Sequence, residues 1–291
     1  MRLSVVIPCF NEADTIGTQL EALANQQWSE PWEVIVSDNG STDGSMDVVK
    51  QYEGRLPSLR IVDASGKRGQ AYARNVGAKN ALGEFIAFCD ADDEVGSGWL
   101  ASMGEALSKW DFVACRIDVH KLSPAWVAEK WDHSQARGLQ TGGFLNFLPH
   151  AGGSTIGIKR RIHEEVGGFA ESCRLGEDTE YCWRVQLKGT ALHFVSDAVM
   201  HVRLRDTVKG IFLQSFGWGE YRVLLYKKYL PLGLPRHTWK EGIEAWKDLI
   251  IGFLKNIHKI RSRRDLVHWA QRLGTRMGQL KGSIKYRIFA I

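Results

Sequence analysis

Three stretches of this 291-residue chain run an apolar segment directly into acidic residues. The densest is Asp90-Ala91-Asp92-Asp93, which follows the apolar run Phe85-Ile86-Ala87-Phe88-Cys89. The others are Val5-Val6-Ile7-Pro8-Cys9-Phe10-Asn11-Glu12 and a run ending in Asp38 that continues through Asn39-Gly40-Ser41-Thr42 to Asp43. Crowded carboxylates repel one another unless a cation neutralises them. One such turn reads equally well as a solvated loop, but three together point to a shared site. Carboxylates suit the N–H donors of a nucleobase and the hydroxyls of a ribose, whereas phosphates need a metal between themselves and the acids. A nucleoside diphosphate with a divalent cation meets both needs. The first turn lacks GxGxxG, and Gly66-Lys67-Arg68-Gly69 lacks the order of a P-loop, so neither common phosphate loop is present.

The elements that must carry these turns alternate in type. Strand patterns at 3–7, 33–37, 59–62, 85–89 and 112–115 are interleaved with helical patterns at 14–26, 43–53, 70–80 and 97–109. The first helix places Ile16, Leu20 and Leu23 on one face. This alternation predicts an α/β fold of right-handed βαβ units around a largely parallel sheet. Ligands of such sheets sit beyond the carboxyl ends of the strands, where all three acidic turns would open onto one edge. Residues 120–155 are richer in Trp, Gly and polar residues, with Gly142-Gly143 and Gly152-Gly153 as hinges. A helix at 159–166, the turn Gly167-Gly168-Phe169, a helix at 177–187 and a strand at 191–195 complete this part.

Composition excludes several classes. Hydrophobic content of 44% and charged content of 24% are those of a globular protein. The five scattered cysteines, never spaced CxxC, speak against a disulfide framework or structural zinc and for a reducing cytosol. No signal segment is visible before the first strand, and the apolar run 249–254 is far too short to span a bilayer. The net charge of +5 is unevenly spread. Residues 1–202 hold 19 Lys and Arg against 27 Asp and Glu, a balance of −8, whereas 203–291 hold 19 against 6, a balance of +13. Beyond Arg203 the pattern becomes basic and helical. Ile243, Trp246, Ile250, Leu254 and Ile257 share one face, and Leu266, Leu273, Met277, Leu280 and Ile284 share another. Residues 240–291 therefore either meet an anionic membrane surface or pack their apolar faces on the body of the protein. No nucleic-acid recognition motif is present. Among the eleven tryptophans, Trp126, Trp131, Trp183 and Trp218 read as packing residues. His150, with Gly152-Gly153-Ser154, reads as a lid or a lining for a donor sugar.

Taken in order and spacing, the turn from Pro8 to Glu12, Asp38–Asp43, Gly69 with Ala73-Arg74-Asn75, Asp90–Asp93, Gly167-Gly168-Phe169 and Glu177-Asp178 resemble glycosyltransferase family 2. These are inverting enzymes of the GT-A fold, a Rossmann-like, mostly parallel sheet flanked by helices. The resemblance covers roughly two-thirds of the chain and leaves the basic C-terminal helical extension without support. It implies that Glu12 and Asp38 hold the nucleobase and ribose, with Pro8 and Phe10 shaping that pocket. Asp90 would contact the ribose side, and Gly69 and Arg74 would lie beside the nucleotide. Asp92 would ligate Mn²⁺ or Mg²⁺, His201 could complete the metal shell, and Asp178 would be the catalytic base. It further implies a nucleotide-binding half (1–110), an acceptor-binding half (111–205) and the basic extension (206–291). The donor would be a UDP-, dTDP- or GDP-linked sugar, and the acceptor a glycan or lipid-linked hydroxyl in envelope or polysaccharide synthesis. The location would be cytoplasmic, peripheral on the inner face of the membrane. The rivals are a polyprenyl-phosphate sugar synthase, whose ionised acceptor needs no base, a non-catalytic scaffold of the same fold, and a nucleotidyltransferase.

Overall fold

The computed structural model describes residues 1–129, 134–173 and 175–290. Two compact units emerge: the described parts of Met1–Leu122, His133–Gln140 and Pro149–Arg203 form the first, and those of Ser123–Asp132, Thr141–Leu148 and Leu204–Ile291 form the second.

In the first unit, chain order runs β1 (Leu3–Cys9), α1 (Ile16–Ala24), β2 (Trp32–Asp38), α2 (Ser45–Lys50), β3 (Leu59–Asp63), α3 (Gln70–Lys79), β4 (Phe85–Phe88), β5 (Glu94–Val95), α4 (Trp99–Lys109) and β6 (Phe112–Asp118). After the second unit's short α5 (Ala125–Ala128) come β7 (Ile156–Lys159), α6 (Arg160–Val166), α7 (Glu177–Leu187) and β8 (His193–His201). Among the described residues the strands form one eight-stranded sheet in the order β3-β2-β1-β4-β7-β6-β8-β5. The first four are mutually parallel. β7 then runs antiparallel to both its neighbours, and β8 runs parallel to β6. β1 is buried at every position, as a strand covered on both faces must be.

Side-chain alternation sorts the core into two layers. Val5, Ile7, Val34 and Val36 point to the face covered by Ile16 and Leu20 of α1 and Trp99 and Met103 of α4. Val6, Ile35, Ile86 and Phe88 point to the opposite face, against Ala71 and Ala78 of α3, Ile162 of α6, and Phe169 and Tyr181. α3 lies unusually close to the sheet, because a Cβ at Gly77 would stand 2.4 Å from both Ser37 Oγ and Val6 Cγ1. The 70–80 helix is therefore held against the strands by the absence of a side chain.

The second unit is helical: α8 (Val208–Tyr229), α9 (Trp239–Asn256) and α10 (Arg263–Tyr286). Each helix has an N-terminal cap. Thr207 accepts from the Gly210 amide, and full capping boxes join Thr238 to Glu241 and Ser262 to Asp265. α8 and α10 run parallel, with Lys285 bound to Glu220 and Lys227 to the Tyr286 carbonyl. Their backbones nearly touch. Cβ atoms at Gly274, Gly278 and Gly282 would meet the Phe212, Phe216 and Glu220 carbonyls at 2.6, 2.0 and 2.8 Å.

Candidate active site

The edge formed by the carboxyl ends of β2, β1 and β4 carries the acidic turns. Cys9 lies opposite Asp38, and Val6 opposite Phe88, so Asp90 leaves β4 level with Pro8. With strands about 4.8 Å apart, Asp38 and Asp90 flank the end of β1 from either side. The first two turns are stitched together. Asn11, at φ 55°, accepts from the Thr42 amide at 2.8 Å, and its own amide donates to Ser41 Oγ at 3.1 Å. Asp43 is consumed by this stitching, accepting from the Ala13 and Ser45 amides at 2.9 and 3.0 Å. Asp38 accepts from the Ser41 amide at 2.8 Å, and Glu12 from Thr15 Oγ1 at 2.7 Å. Pro8 is buried within β1, while Phe10 is 42% exposed beneath the Arg68 guanidinium, 4.0 Å from its ring centre. Gly69 adopts φ 141° and donates its amide to the Asn39 side chain at 2.9 Å.

Arg74 is the hub. It projects from α3, is 2% exposed, and donates from Nη2 to Asp90 at 2.7 Å and from Nη1 to Glu177 at 2.9 Å. Gln70 adds a second donor to Asp90 at 2.9 Å. The Phe169 ring lies 5.4 Å from the guanidinium, and a Cβ at Gly153 would stand 2.6 Å from Nη1. Burial opposes the Arg74 charge, but the carboxylates of Asp90 and Glu177 outweigh it and raise its pKa. Burial pushes Glu177 up to about 7, helped by Asp178 and opposed by Arg74. Next to Glu177, at the start of α7, Asp178 is half-buried and accepts from the Thr179 amide at 2.7 Å and the Gly153 amide at 3.3 Å. The helix start is fixed from behind. Asn75 bonds both the Phe169 amide and its carbonyl, at 2.8 and 2.9 Å, and Gly168 at φ 68° has no room for a Cβ against Asn75.

Asp90, Asp92 and Asp93 bring one ligand oxygen each within 4.8 Å of one another, a set of hard donors suited to a divalent cation. Burial pushes Asp93 well above the usual carboxylate range, and Asp90 and Asp92 add to it. The Arg203 amide donates to Asp93 at 3.1 Å. His201 is outside that group of three. It pairs across the sheet with Glu94, and its Nδ1 lies 2.7 Å from Asp118, an arrangement that turns Nε2 into the ring nitrogen available to a ligand. Trp183 is fully buried, with the His150 ring edge-on to it at 6.2 Å, and Trp126 and Trp218 are half-buried. Trp131 lies outside the described residues.

Residues 4–167 match the profile of glycosyl transferase family 2. The chain belongs to that family. The matched segment ends ten residues before Glu177. Relatives within reach include glycosyltransferase AglE of Haloferax volcanii, 27% identical over 200 residues that make up 68% of this chain and 65% of AglE. The dodecaprenyl-phosphate galacturonate synthase of Rhizobium johnstonii is 39% identical over 95 residues, 32% of this chain and 28% of that protein. The chain thus spans less than two-thirds of the length of these relatives. Among solved structures, the mannosyltransferase PcManGT of Pyrobaculum calidifontis, in complex with GDP-Man and Mn²⁺, superposes with a TM-score of 0.69 at 18% identity over 97% of this chain and 86% of that one. Residues 1–349 of S. aureus TarS, in complex with UDP-GlcNAc, superpose with a TM-score of 0.58 at 17% identity, covering 100% of this chain and 93% of that one. At these identities the likeness establishes the fold, that of the GT-A glycosyltransferases.

Proposed function

We propose that this family 2 chain transfers one sugar, with inversion, from a nucleotide-diphospho-sugar to an acceptor hydroxyl of a glycan or glycolipid. The observation that carries the reading is the Arg74 bridge, which ties the Asp90 turn to the residue beside Asp178. In this reading Glu12 and Asp38, with Pro8 and Phe10, receive the base and ribose at the β1 and β2 ends. Gly69 brings its loop against the nucleotide, and Asp90 faces the ribose side, held there by Arg74 and Gln70. Asp92 holds a divalent metal, Mn²⁺ or Mg²⁺, and His201 offers Nε2 to the same ion. Bound there, the metal would offset the charge that develops on the departing diphosphate. Asp178 takes the proton from the attacking hydroxyl, its two oxygens oriented by the Thr179 and Gly153 amides. A positioned carboxylate of this kind contributes about 10²–10⁴-fold.

Nucleotide release from UDP-, dTDP- and GDP-linked sugars, measured with Mn²⁺, with Mg²⁺ and with chelator, tests the reading. Turnover with one donor class that chelator abolishes is expected; chelator-insensitive turnover would remove the metal role. A second reading, transfer to a prenyl phosphate, is favoured by the likeness to a dodecaprenyl-phosphate sugar synthase. Asp178→Asn separates the two, since an ionised phosphate needs no base. Survival of most activity in that variant would favour the phosphate acceptor.

A further inference from the structure

The helices of the second unit expose what amphipathic helices ordinarily bury. On α9 and just past its end, Trp239, Ile243, Ile250, Leu254 and Ile257 recur at the helical period, each 45–63% exposed. The stripe is about 27 Å long at 1.5 Å per residue. On α10, Leu266, Leu273, Met277, Leu280 and Ile284 repeat the pattern at 40–72% exposure. The two helices meet through Gly252 and Phe253 against Trp269. The short segment 257–262 joins α9 to α10, and both stripes are left uncovered. Phe289 extends this face by closing, with Trp239, Ile243, Trp246, Ile250 and Ile251, an apolar cleft of about 420 Å³.

The excess of cations lies past α9, which is itself balanced, with Lys240, Lys247 and Lys255 against Glu241, Glu244 and Asp248. Lys259, Arg261 and Arg263 occupy the turn into α10, and Arg272, Arg276, Lys281 and Lys285 follow on α10. The segment from 203 onward carries a balance of +13. A second copy of the chain would bring the same positive charge onto itself. An anionic lipid surface complements the charge and accepts the apolar side chains together. Among the described residues no helix is long and apolar enough to cross a membrane, so this contact is interfacial.

We propose that α9 and α10 form a docking face for an anionic phospholipid bilayer, with Trp239 and the Ile and Leu stripes entering the acyl boundary and the Lys and Arg flanks meeting headgroup phosphates. This inference stands apart from the catalytic reading. The test is flotation of the full chain with vesicles of phosphatidylcholine alone or with about one-third phosphatidylglycerol. Binding to the anionic vesicles should exceed binding to neutral ones by about tenfold and weaken as salt is raised. Ile250→Glu with Leu254→Glu, both at exposed positions, should cut vesicle binding by about tenfold or more and leave nucleotide-sugar binding, followed by calorimetry, unchanged. Equal flotation of wild type and variant, or no flotation of either, would overturn the proposal. So would sedimentation showing a lipid-independent dimer that the same variant converts to monomer, since a second copy would then cover the face.

Discussion

Arg74 and its two carboxylates determine what single substitutions should do. Removing the guanidinium leaves Asp90 and the buried Glu177 facing each other without compensation, a defect of about 3–5 kcal/mol. Arg74→Ala should therefore lower the unfolding midpoint measurably as well as abolish turnover. Asp178→Asn should act differently, lowering kcat by about 10²-fold or more while donor KM and thermal stability stay close to wild type. Glu177→Gln keeps an acceptor for Arg74, so its kcat should fall less than that of Asp178→Asn; the reverse order would move the base role to Glu177. The sequence displayed the acidic turns and the Glu-Asp pair, because those depend on residue type alone. It did not display that Arg74 is buried between them. The pairing spans 103 residues of chain, and no local pattern encodes it. Nor did it reveal that Asp43 spends its oxygens joining two turns.

At the scale of elements, the strands of the parallel half and the helices α1, α3, α4, α7, α9 and α10 were legible from periodicity, because each is long enough and one-sided enough to show its period. The 22-residue α8 was not, since its apolar residues are spread around the helix and form no single stripe. β7 was not. Its four residues follow Gly152-Gly153 and merge into the helix at Arg160, too short a run to show alternation. Its antiparallel insertion, together with the two-residue β5 antiparallel to β8, makes the sheet mixed beyond β4. The turn that delivers Glu177 rests on a second buried pair. His163 Nδ1 lies 2.7 Å from the Tyr181 hydroxyl, and burial holds the imidazole down at about 4, with the Arg184 charge adding to the effect. An unfolded His titrates near 6.5, so the folded state gains stability above that value and loses it as pH falls from about 6.5 through 4. The loss is roughly 3 kcal/mol. The raised carboxyls of Glu177 and Asp93 act with the opposite sign over this range. The His163 contribution should therefore be read as the difference in denaturation midpoint between wild type and His163→Gln, which keeps a polar partner for Tyr181 but does not titrate. That difference should shift against the wild type as pH falls from about 6.5 through 4. In the second unit, Gly278→Ala places a methyl where the Phe216 carbonyl stands at 2.0 Å, so the α8–α10 seam should lose about 3 kcal/mol while donor binding persists.

Over the whole molecule, the charge split between a body of −8 and a tail of +13 was plain in the sequence. Whether the tail's apolar stripes were covered was not, since exposure depends on what packs against them. Ligand linkage gives a further check. If the first unit binds a nucleotide donor with a divalent metal, donor at about 100 times its Kd should stabilise the protein by about 2.7 kcal/mol. The thermal shift should be the same in Ile250→Glu/Leu254→Glu as in wild type. The salt link from Asp90 through Arg74 to Glu177 has a consequence for protein engineering. A chimaera that takes its first hundred residues from one homologue and the remainder from another splits a matched trio across the splice. If the acidic edge holds the donor and Asp178 takes the proton, donor pockets in this scaffold are not interchangeable cartridges: recoding one means carrying over the residue that anchors the base as well.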